Sequence, residues 1–485
     1  MAGTEDPLVF THVFTKDNPG CIDSYYSMDR NVLGEGSYGR VTKGMHKSTR
    51  QLRAIKAIDL KKIPDMRRFH NEVAIQKTLD HPNIVKLYEV FKDAQRYYLV
   101  MELCTGGELF DRIVEEADKH EGQALTEASS AKIMLQILGA IHYMHQKNFA
   151  HRDVKPENFL LQNRDREAPI KVIDFGLAKE FEPGRSDMKT KAGTPYYVAP
   201  EILLTAPSRG QRAQETPQQS SAGDGYNEKC DVWSCGVLTY IILCGYPPFY
   251  GDRDSDILKM VKKGEFDFPA PDWDHMSSTS KDFINRMLTF NPMERPSAGL
   301  MLEHEWLKTF DSRQETRLPA DFGANLKKFS SSTKLKKVAL TLMAQQMKEE
   351  EIEDLKLTFA ALDTNNDGTL SQAEVREGMK KHGMDISGLK ETLEALDTDG
   401  SGEIDYTEFV AATLSARQYL KKEVLWAAFR VFDVNGSGEI DHDELKEVLQ
   451  DNNVKRIDAI IKEVDLNGDG KISFEEFCAM MQSGP

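Results

Sequence analysis

The sequence predicts a multidomain chain in which a two-lobed α+β domain is followed by a smaller all-α domain. Glycine, lysine and aspartate motifs occur in a fixed order over residues 33–201. Four acidic loops follow at spacings of 34, 36 and 32 residues, which indicates an internal repeat. Residues 351–485 hold 29 acidic and 14 basic side chains, so they carry nearly all of the formal net charge of −16.

The composition fits several folded domains. At roughly 150 residues per domain, the 485 residues allow about two to four. The acidic block contains aromatic residues such as Phe359, Trp426 and Phe477, which disordered acidic tails lack. Its charge therefore indicates a module that binds cations.

Cysteine usage and hydropathy predict a cytoplasmic protein without a membrane anchor. The six cysteines form no CxxC pair and no zinc-binding spacing, so we expect reduced core residues. No run of about 18 apolar residues is present. Ala2 stands where N-myristoylation requires a glycine after Met1. We also expect a monomer with no nucleic-acid partner.

A glycine-rich segment begins the motif series. Residues 33–41 run Leu-Gly-Glu-Gly-Ser-Tyr-Gly-Arg-Val, in which the glycines let backbone amides approach phosphate groups. Taken alone, the segment is better explained as a glycine-rich hairpin turn. Lys56 then ends the strand-like segment Ala54-Ile55-Lys56, where its ammonium can hold phosphates. Glu72, in a helical pattern, can pair with Lys56.

Two further motifs supply the groups that handle the proton and the metal. Residues 151–158 run His-Arg-Asp-Val-Lys-Pro-Glu-Asn, in which Asp153 can accept the proton of a substrate hydroxyl and Asn158 can bind magnesium. Asp174, at the start of Asp-Phe-Gly, adds a second magnesium ligand. Since the charged groups of phosphoryl transfer are all present, we expect an active enzyme rather than an inactive homologue.

Residues 27–308 resemble the eukaryotic protein kinases, with a small lobe up to about residue 102 and a large lobe after it. Lys155 and Thr194 resemble the serine/threonine branch, which implies a non-specific serine/threonine protein kinase that uses ATP and Mg²⁺. The resemblance implies catalytic roles for Asp153, Lys155, Asn158 and Asp174. It implies nucleotide contacts for Leu33, Gly34, Gly36, Gly39, Val41, Ala54, Lys56, Glu72, the gatekeeper Met101, the hinge residues Glu102 and Cys104, Glu108 and Leu160.

The same resemblance implies roles in substrate binding for two residues and in packing for three others. Glu108 and Glu157 match positions that attract basic residues upstream of the target serine or threonine. Glu201 of Ala-Pro-Glu is expected to pair with Arg295. Gln76 departs from the family, which usually has Leu or Met there, so its polar group is expected to loosen the packing.

Two segments leave alternatives open. Residues 205–225 predict an inserted disordered loop, which either selects partners or is an idle surface excursion. Thr190 occupies the position of an activation-loop phosphosite whose phosphate Arg152 could bind, or it is an ordinary exposed threonine.

The four acidic loops have the pattern of EF-hand calcium loops, with oxygen ligands at positions 1, 3, 5, 7, 9 and 12 and glycine at position 6. The predicted Ca²⁺ ligands, with position 7 contributing its carbonyl, are Asp363, Asn365, Asp367, Thr369, Ser371 and Glu374 in loop 1; Asp397, Asp399, Ser401, Glu403, Asp405 and Glu408 in loop 2; Asp433, Asn435, Ser437, Glu439, Asp441 and Glu444 in loop 3; and Asp465, Asn467, Asp469, Lys471, Ser473 and Glu476 in loop 4. Loop 2 has four carboxylates, so we expect it to bind calcium more tightly.

These loops predict two paired lobes, 351–415 and 421–485. Such a lobe is either a passive calcium buffer or a sensor that opens to expose a methionine-rich groove. Fusion to a kinase favours the sensor, with weak support from Met384, Met480 and Met481.

Residues 326–347 alternate basic and apolar side chains at helical spacing, which is typical of a calmodulin-target helix. A solvated linker helix would be the simpler interpretation if no calcium lobes followed. Ser330, three residues after Lys327, is either an autophosphorylation site or part of a serine-rich linker.

The order of parts resembles the calcium-dependent protein kinases of plants and protists. The predicted domains are an extension (1–26), the kinase domain (27–308), an autoinhibitory junction (309–350) and the two EF-hand pairs of a calmodulin-like domain. The resemblance implies that the junction inhibits the kinase without calcium and is bound by the calcium lobes when calcium is present. A non-catalytic scaffold and activation by separate calmodulin are the alternatives.

Overall fold

The structure, a computed structural model, describes residues 15–18, 20–36, 39–119, 125–165, 167–181, 195–204, 227–311, 318–449 and 453–483. Thr190, Thr194 and the predicted insertion 205–225 lie outside these ranges, as do Ser37 and Tyr38 of the glycine-rich segment. In the described part, no helix is both long enough and apolar enough to span a bilayer. All six cysteines are described and none of them forms a disulfide with another; Cys21 is exposed, so the prediction of core cysteines is wrong for that residue.

The small lobe is a six-stranded sheet with two helices. Its elements are β1 (Lys16–Asn18), α1 (Ile22–Tyr25), β2 (Tyr26–Gly36), β3 (Gly39–His46), β4 (Leu52–Asp59), α2 (Met66–Thr78), β5 (Leu87–Lys92) and β6 (Arg96–Met101). The strand order is β1-β5-β6-β4-β3-β2, in which β1 runs parallel to β5 and the other neighbours are antiparallel. Gly39 is required at the start of β3, because a Cβ there would overlap the Ala57 carbonyl on β4.

Residues before the predicted kinase boundary belong to this lobe. β1 adds an edge strand, and Ile22 on α1 is buried with Tyr26, Ile55 and Phe91 on one side of the sheet. Burial of these apolar side chains fixes the segment on the lobe. The predicted boundary places this segment in an extension, because the three residues of β1 are too few to show a strand pattern.

The large lobe is mainly helical. Its elements are α3 (Leu109–Lys119), α4 (Glu127–Gln146), β7 (Phe149–Ala150), β8 (Phe159–Leu161), β9 (Ile170–Val172), β10 (Lys179–Glu180), α5 (Pro200–Leu204), α6 (Lys229–Cys244), α7 (Asp254–Lys263), α8 (Ser278–Met287), α9 (Ala298–Leu302) and α10 (Glu305–Phe310). Helix α6 is apolar all round and buried along its length from Cys230 to Cys244. It forms the centre of the largest core and places Asp231 beneath the catalytic loop.

The junction and the calcium lobes form one further helical unit. Its elements are α11 (Phe322–Ser330), α12 (Lys334–Gln346), α13 (Glu349–Leu362), β11 (Thr369–Leu370), α14 (Gln372–Lys381), α15 (Leu389–Glu394), β12 (Ile404–Asp405), α16 (Tyr406–Thr413), α17 (Ala416–Tyr419), α18 (Lys422–Phe432), β13 (Glu439–Ile440), α19 (His442–Leu449), α20 (Val454–Val464), β14 (Ile472–Ser473) and α21 (Phe474–Gln482). The short strands pair β11 with β12 and β13 with β14, so the loops form two pairs as predicted.

The predicted junction helix over 326–347 is wrong as a single helix. It is divided between α11 and α12 at residues 331–333, where the Thr333 hydroxyl accepts a hydrogen bond from the Lys336 N–H and so caps α12. Both helices bury apolar faces in the core of the calcium domain, including Phe329, Leu335 and Met343.

Candidate functional site

The catalytic loop holds its charged side chains in direct contact. Lys155 Nζ lies 2.8 Å from Asp153 Oδ2. Asn158 Nδ2 donates to the Asp153 backbone carbonyl at 2.7 Å and to its Oδ2 at 3.0 Å. Three of the four residues predicted as catalytic therefore meet at one carboxylate, which is half-buried and reachable by a substrate hydroxyl.

Asp231 holds the backbone of this loop from below. Its carboxylate accepts hydrogen bonds from the N–H groups of His151 at 2.8 Å and Arg152 at 2.7 Å, and from His145 Nε2 at 2.8 Å. Burial acts to raise the pKa of Asp231, but the hydrogen bonds and the charges of His145 and His151 outweigh it and lower the pKa. These bonds fix Arg152 at a φ of 65°, a left-handed backbone conformation.

The predicted nucleotide residues lie together across the small-lobe sheet. Val41 on β3 is opposite Lys56 on β4, and Ala54 is opposite the gatekeeper Met101 on β6. Leu160 bridges to Glu108 on the other side of the cleft. This arrangement brings apolar side chains from both lobes to where the resemblance places the adenine.

Lys56 and Glu72 do not form the predicted ion pair. No ion pair within 4.0 Å joins these two described side chains, although the Lys56 charge acts to lower the pKa of Glu72. Burial, with the nearby charge of Asp174, raises the pKa of Glu72 above its usual value. Helix α2 is attached to the large lobe by another residue: Arg68 donates two hydrogen bonds to the Gly176 carbonyl.

Glu102, which the resemblance predicts as a hinge residue, makes two contacts that no motif predicts. Its carboxylate forms a buried ion pair with Lys171 at 2.8 Å, and its N–H donates to the Lys86 carbonyl at 2.9 Å. Lys171 belongs to none of the motifs, so no pattern in the sequence marks this contact. Gln76, which departs from the family, is 5% exposed, and its amide lies 3.7 Å from the Met101 sulfur. The polar group therefore has a partner within the core.

An acidic patch lies beside the catalytic cleft. Burial and the charges of Asp111 and Glu157 raise the pKa of Glu108, so these three carboxylates lie within electrostatic reach of one another. A cationic peptide side chain would relieve this repulsion. Behind the cleft, Glu201 and Arg295 form the predicted ion pair, with hydrogen bonds of 2.7 and 3.0 Å.

The calcium loops have the backbone that calcium requires. The four position-6 glycines, Gly368, Gly402, Gly438 and Gly470, all have positive φ. In loop 2, the carboxylates of Asp397, Asp399 and Glu408 offer ligand atoms within 4.8 Å of one another. In loop 3, the buried Asp433 Oδ1 accepts no hydrogen bond from any described residue. Converging carboxylates and a buried, unsatisfied carboxylate oxygen both fit a bound Ca²⁺.

The first calcium lobe lies against the back of the kinase domain. Thr407, between the loop 2 ligands Asp405 and Glu408, donates from its N–H and hydroxyl to the Asp80 carboxylate, both at 2.8 Å. Lys86 Nζ donates to the Thr407 hydroxyl at 3.0 Å. Lys147, the residue directly after α4, has its Nζ 3.7 Å from Asp405 Oδ1. Kinase side chains therefore reach the calcium-binding segment itself.

Loop 1 is packed on the same face. A Cβ at Gly368 would overlap the ring of His81 and approach that of Tyr143. Among the ligands, Asp363, Asp367 and Glu374 are buried, whereas Asn435 and Ser437 of loop 3 are exposed. The junction also touches the small lobe, where Gln51 and Arg53 donate to Gln346.

Two basic side chains of the junction bind backbone carbonyls at helix ends. Lys336, 3% exposed, donates to the carbonyls of Met480 at 3.3 Å and Ser483 at 2.6 Å, where α21 ends. Lys337 donates to the Ala395 carbonyl at 3.1 Å, where α15 ends. Helix C-termini carry partial negative charge, so cations are favoured there.

Comparison with known proteins matches both parts of the chain. Residues 27–307 match the family model described as a protein kinase domain, and residues 338–414 and 422–482 match the one described as an EF-hand domain pair. Calcium-dependent protein kinase 3 of Plasmodium berghei is 41% identical over 475 residues, 96% of this chain and 81% of the relative. Calcium-dependent protein kinase 5 of Plasmodium falciparum is 42% identical over 470 residues, 95% and 78% of the two chains. Calcium-dependent protein kinase 33 of Arabidopsis thaliana is 37% identical over 472 residues, 95% and 85% of the two.

Proposed function

The chain belongs to the calcium-dependent protein kinases, and from this we propose that it phosphorylates serine or threonine beside basic residues and is held inactive by its junction until calcium binds. As a protein kinase with EF-hands, it uses ATP, Mg²⁺ and Ca²⁺. We further propose that it acts as a monomer, with its own calcium domain as its regulatory partner.

The contacts of the catalytic loop support the proposed roles of its residues. Asp153 is the group that accepts the hydroxyl proton, and Lys155, 2.8 Å away, neutralises the charge around it. Asn158 and Asp174 are the residues that would hold Mg²⁺, which neutralises charge on the transferred phosphate. Lys56 would bind the phosphates from the small lobe.

The acidic patch supports the preference for basic substrates. Glu108, Asp111 and Glu157 lie close enough for their charges to act on one another. An arginine or lysine side chain of the substrate would pair with Glu108 and Glu157, and this interaction contributes more when water is displaced from the cleft.

The burial of α12 in the calcium domain is the observation that carries the regulatory part. Leu335, Leu342 and Met343 are at most 3% exposed there, and Lys336 is bound by carbonyls of α21. A helix held in this way is withdrawn from the catalytic cleft. We propose that this is the active arrangement, and that loss of calcium releases the junction to inhibit the kinase.

Phosphate transfer to a peptide with arginine three residues before a serine tests both parts. The purified full chain is assayed with labelled ATP at saturating free calcium and with chelator, and Asp174→Ala is the inactive control. We expect transfer that depends on both calcium and Asp174. Absence of transfer under every condition would favour a scaffold, and a requirement for added calmodulin would contradict built-in control.

Predicted phosphosites remain separate proposals. The Ser330 hydroxyl donates to the Lys327 carbonyl at the end of α11, so a phosphate there would disrupt this contact. Thr190 stays a prediction from its position alone.

A further inference from the structure

Arg68, an exposed arginine on α2, binds the segment that carries the magnesium ligand Asp174. Its Nε and Nη2 donate to the Gly176 carbonyl at 3.1 and 2.8 Å. Two donors on one acceptor fix the side chain more firmly than a single hydrogen bond. The contact therefore joins a small-lobe helix to the Asp-Phe-Gly turn of the large lobe.

The peptide that Arg68 binds is adjacent to the one that orients Asp174. The Gly176 N–H donates to Asp174 Oδ1 at 2.9 Å. The following carbonyl, of Leu177, accepts from Arg152 Nε at 2.6 Å. Two arginines, one from each lobe, thus hold the carbonyls of Gly176, whose N–H binds the Asp174 carboxylate, and of the next residue, Leu177.

The predicted ion pair between Glu72 on α2 and Lys56 does not supply a second link of this kind. Lys56 and Glu72, both in the described part of the chain, form no ion pair within 4.0 Å. Asp65 caps α2 by accepting from the backbone N–H groups of Arg67 and Arg68. The cap therefore fixes the first turn of α2, from which the Arg68 side chain extends.

We propose that Arg68 is a positioning residue that keeps Asp174 in the orientation needed to bind magnesium. The inference rests on the catalytic part of the proposed function and is independent of the calcium switch. Without the guanidinium, the Gly176 peptide has only its large-lobe neighbours to hold it, so the metal must order the turn when it binds. Part of the metal's binding free energy is then used for ordering, and its apparent affinity falls.

The test measures the magnesium requirement of the full chain at saturating free calcium. Initial rates are recorded at fixed ATP while free Mg²⁺ is varied, and Mg²⁺ binding in the presence of a non-hydrolysable ATP analogue is measured by calorimetry, for wild type, Arg68→Ala, Arg68→Lys and Arg67→Ala. Arg67 is the matched control, because it is an exposed neighbour on the same turn of α2. We expect half-saturating Mg²⁺ to rise about fivefold in Arg68→Ala, because part of the metal's binding free energy is then used to order the turn.

Arg68→Lys keeps the charge and loses the two-donor fork, so we expect a smaller rise than in Arg68→Ala. Arg67→Ala should match wild type. An unchanged magnesium requirement in Arg68→Ala, or an equal rise in Arg67→Ala, overturns the proposal. If Arg68→Ala does not fold, Arg68→Lys decides the question in the same way. Failure of the proposed function would be seen separately, as absence of phosphate transfer by wild type.

Discussion

The Asp80 carboxylate of the kinase domain binds Thr407, the residue immediately before the last calcium ligand of loop 2. Both oxygens of Asp80 are used, one by the Thr407 N–H and one by its hydroxyl. The Asp80 N–H itself donates to the Tyr143 hydroxyl at 3.0 Å, which anchors it to α4. The start of α16 is therefore held by a carboxylate of the other domain, as a helix N-terminus favours.

We expect Asp80→Asn to weaken calcium activation. The substituted amide cannot accept both hydrogen bonds, and loss of a charged acceptor costs about 1–3 kcal/mol. If docking and calcium binding are linked, half-maximal activity should require about five times more free calcium. Kinase activity against free calcium measures this shift. Asp252→Asn, at an exposed position, is the control, and equal calcium midpoints for Asp80→Asn and wild type would contradict the coupling.

Glu408 and Glu476 are the position-12 ligands of loops 2 and 4, and their replacement by alanine should abolish most calcium stimulation. A position-12 glutamate supplies two oxygens to calcium, so its loss leaves an incomplete ligand set. We expect Glu408→Ala to have the larger effect, because three carboxylates of loop 2 already converge. Calcium titration of kinase activity checks this, with the exposed Glu447→Ala as control. Full stimulation of both variants would refute the switch.

Lys336 should stabilise the calcium domain through its ammonium. Lys336→Met keeps an apolar stem in the core and removes the donor to the Met480 and Ser483 carbonyls. We expect the free energy of unfolding of the calcium-loaded protein to fall by about 1–3 kcal/mol. Denaturation followed by helical circular dichroism gives this value. Lys334→Met, at an exposed position on the same helix, should leave it nearly unchanged; equal losses in both variants would show that the carbonyl contacts contribute little.

His81 makes the docked arrangement sensitive to acid. Burial, with the charges of Lys356 and Lys171, lowers the pKa of His81 from 6.5 to about 3. The folded protein keeps the ring neutral, whereas the unfolded chain takes up a proton as the pH falls below 6.5. The contribution of the neutral His81 ring to the free energy of unfolding is therefore complete above pH 6.5 and is lost as the pH falls from there toward 3.

Between pH 7.5 and 5, this proton uptake should reduce the free energy of unfolding by about 2 kcal/mol. His81→Asn, which cannot be protonated in this range, should lose correspondingly less over the same interval. Chemical denaturation at the two pH values measures the difference between wild type and variant. His70→Gln, at an exposed position, should behave like wild type. The same pH dependence in wild type and His81→Asn would exclude His81 as its source.

The sequence predicts the residues that the chemistry requires at set spacings within a short stretch of chain. Asp153, Lys155 and Asn158 could be placed because phosphoryl transfer needs them at set spacings, and the EF-hand turns because only glycine tolerates position 6 readily. The Asp80–Thr407 contact joins residues 327 positions apart, and both are ordinary surface types, so no local pattern marks it.

The differences between the predicted and the observed junction also have physical explanations. Periodicity alone could not show that the Thr333 hydroxyl divides the junction into two helices, because the apolar spacing continues on both sides. The positive charge of the junction was expected to meet the acidic calcium domain. Lys336 and Lys337 instead bind backbone carbonyls at helix ends. These carbonyls carry no formal charge, so the amino-acid composition cannot predict the contacts. Lys327, paired with Asp385 at 2.8 Å, is a contact of the expected kind.

Gly368 meets two separate demands with one residue. The calcium loop needs its positive φ of 80°, and the rings of His81 and Tyr143 occupy the space that any side chain would need. At the position-6 glycines of the other three loops, Gly402, Gly438 and Gly470, a Cβ would meet nothing within 4 Å. Loop 1 is therefore the loop in which a single added methyl group would disturb both the calcium turn and the contact with the kinase surface.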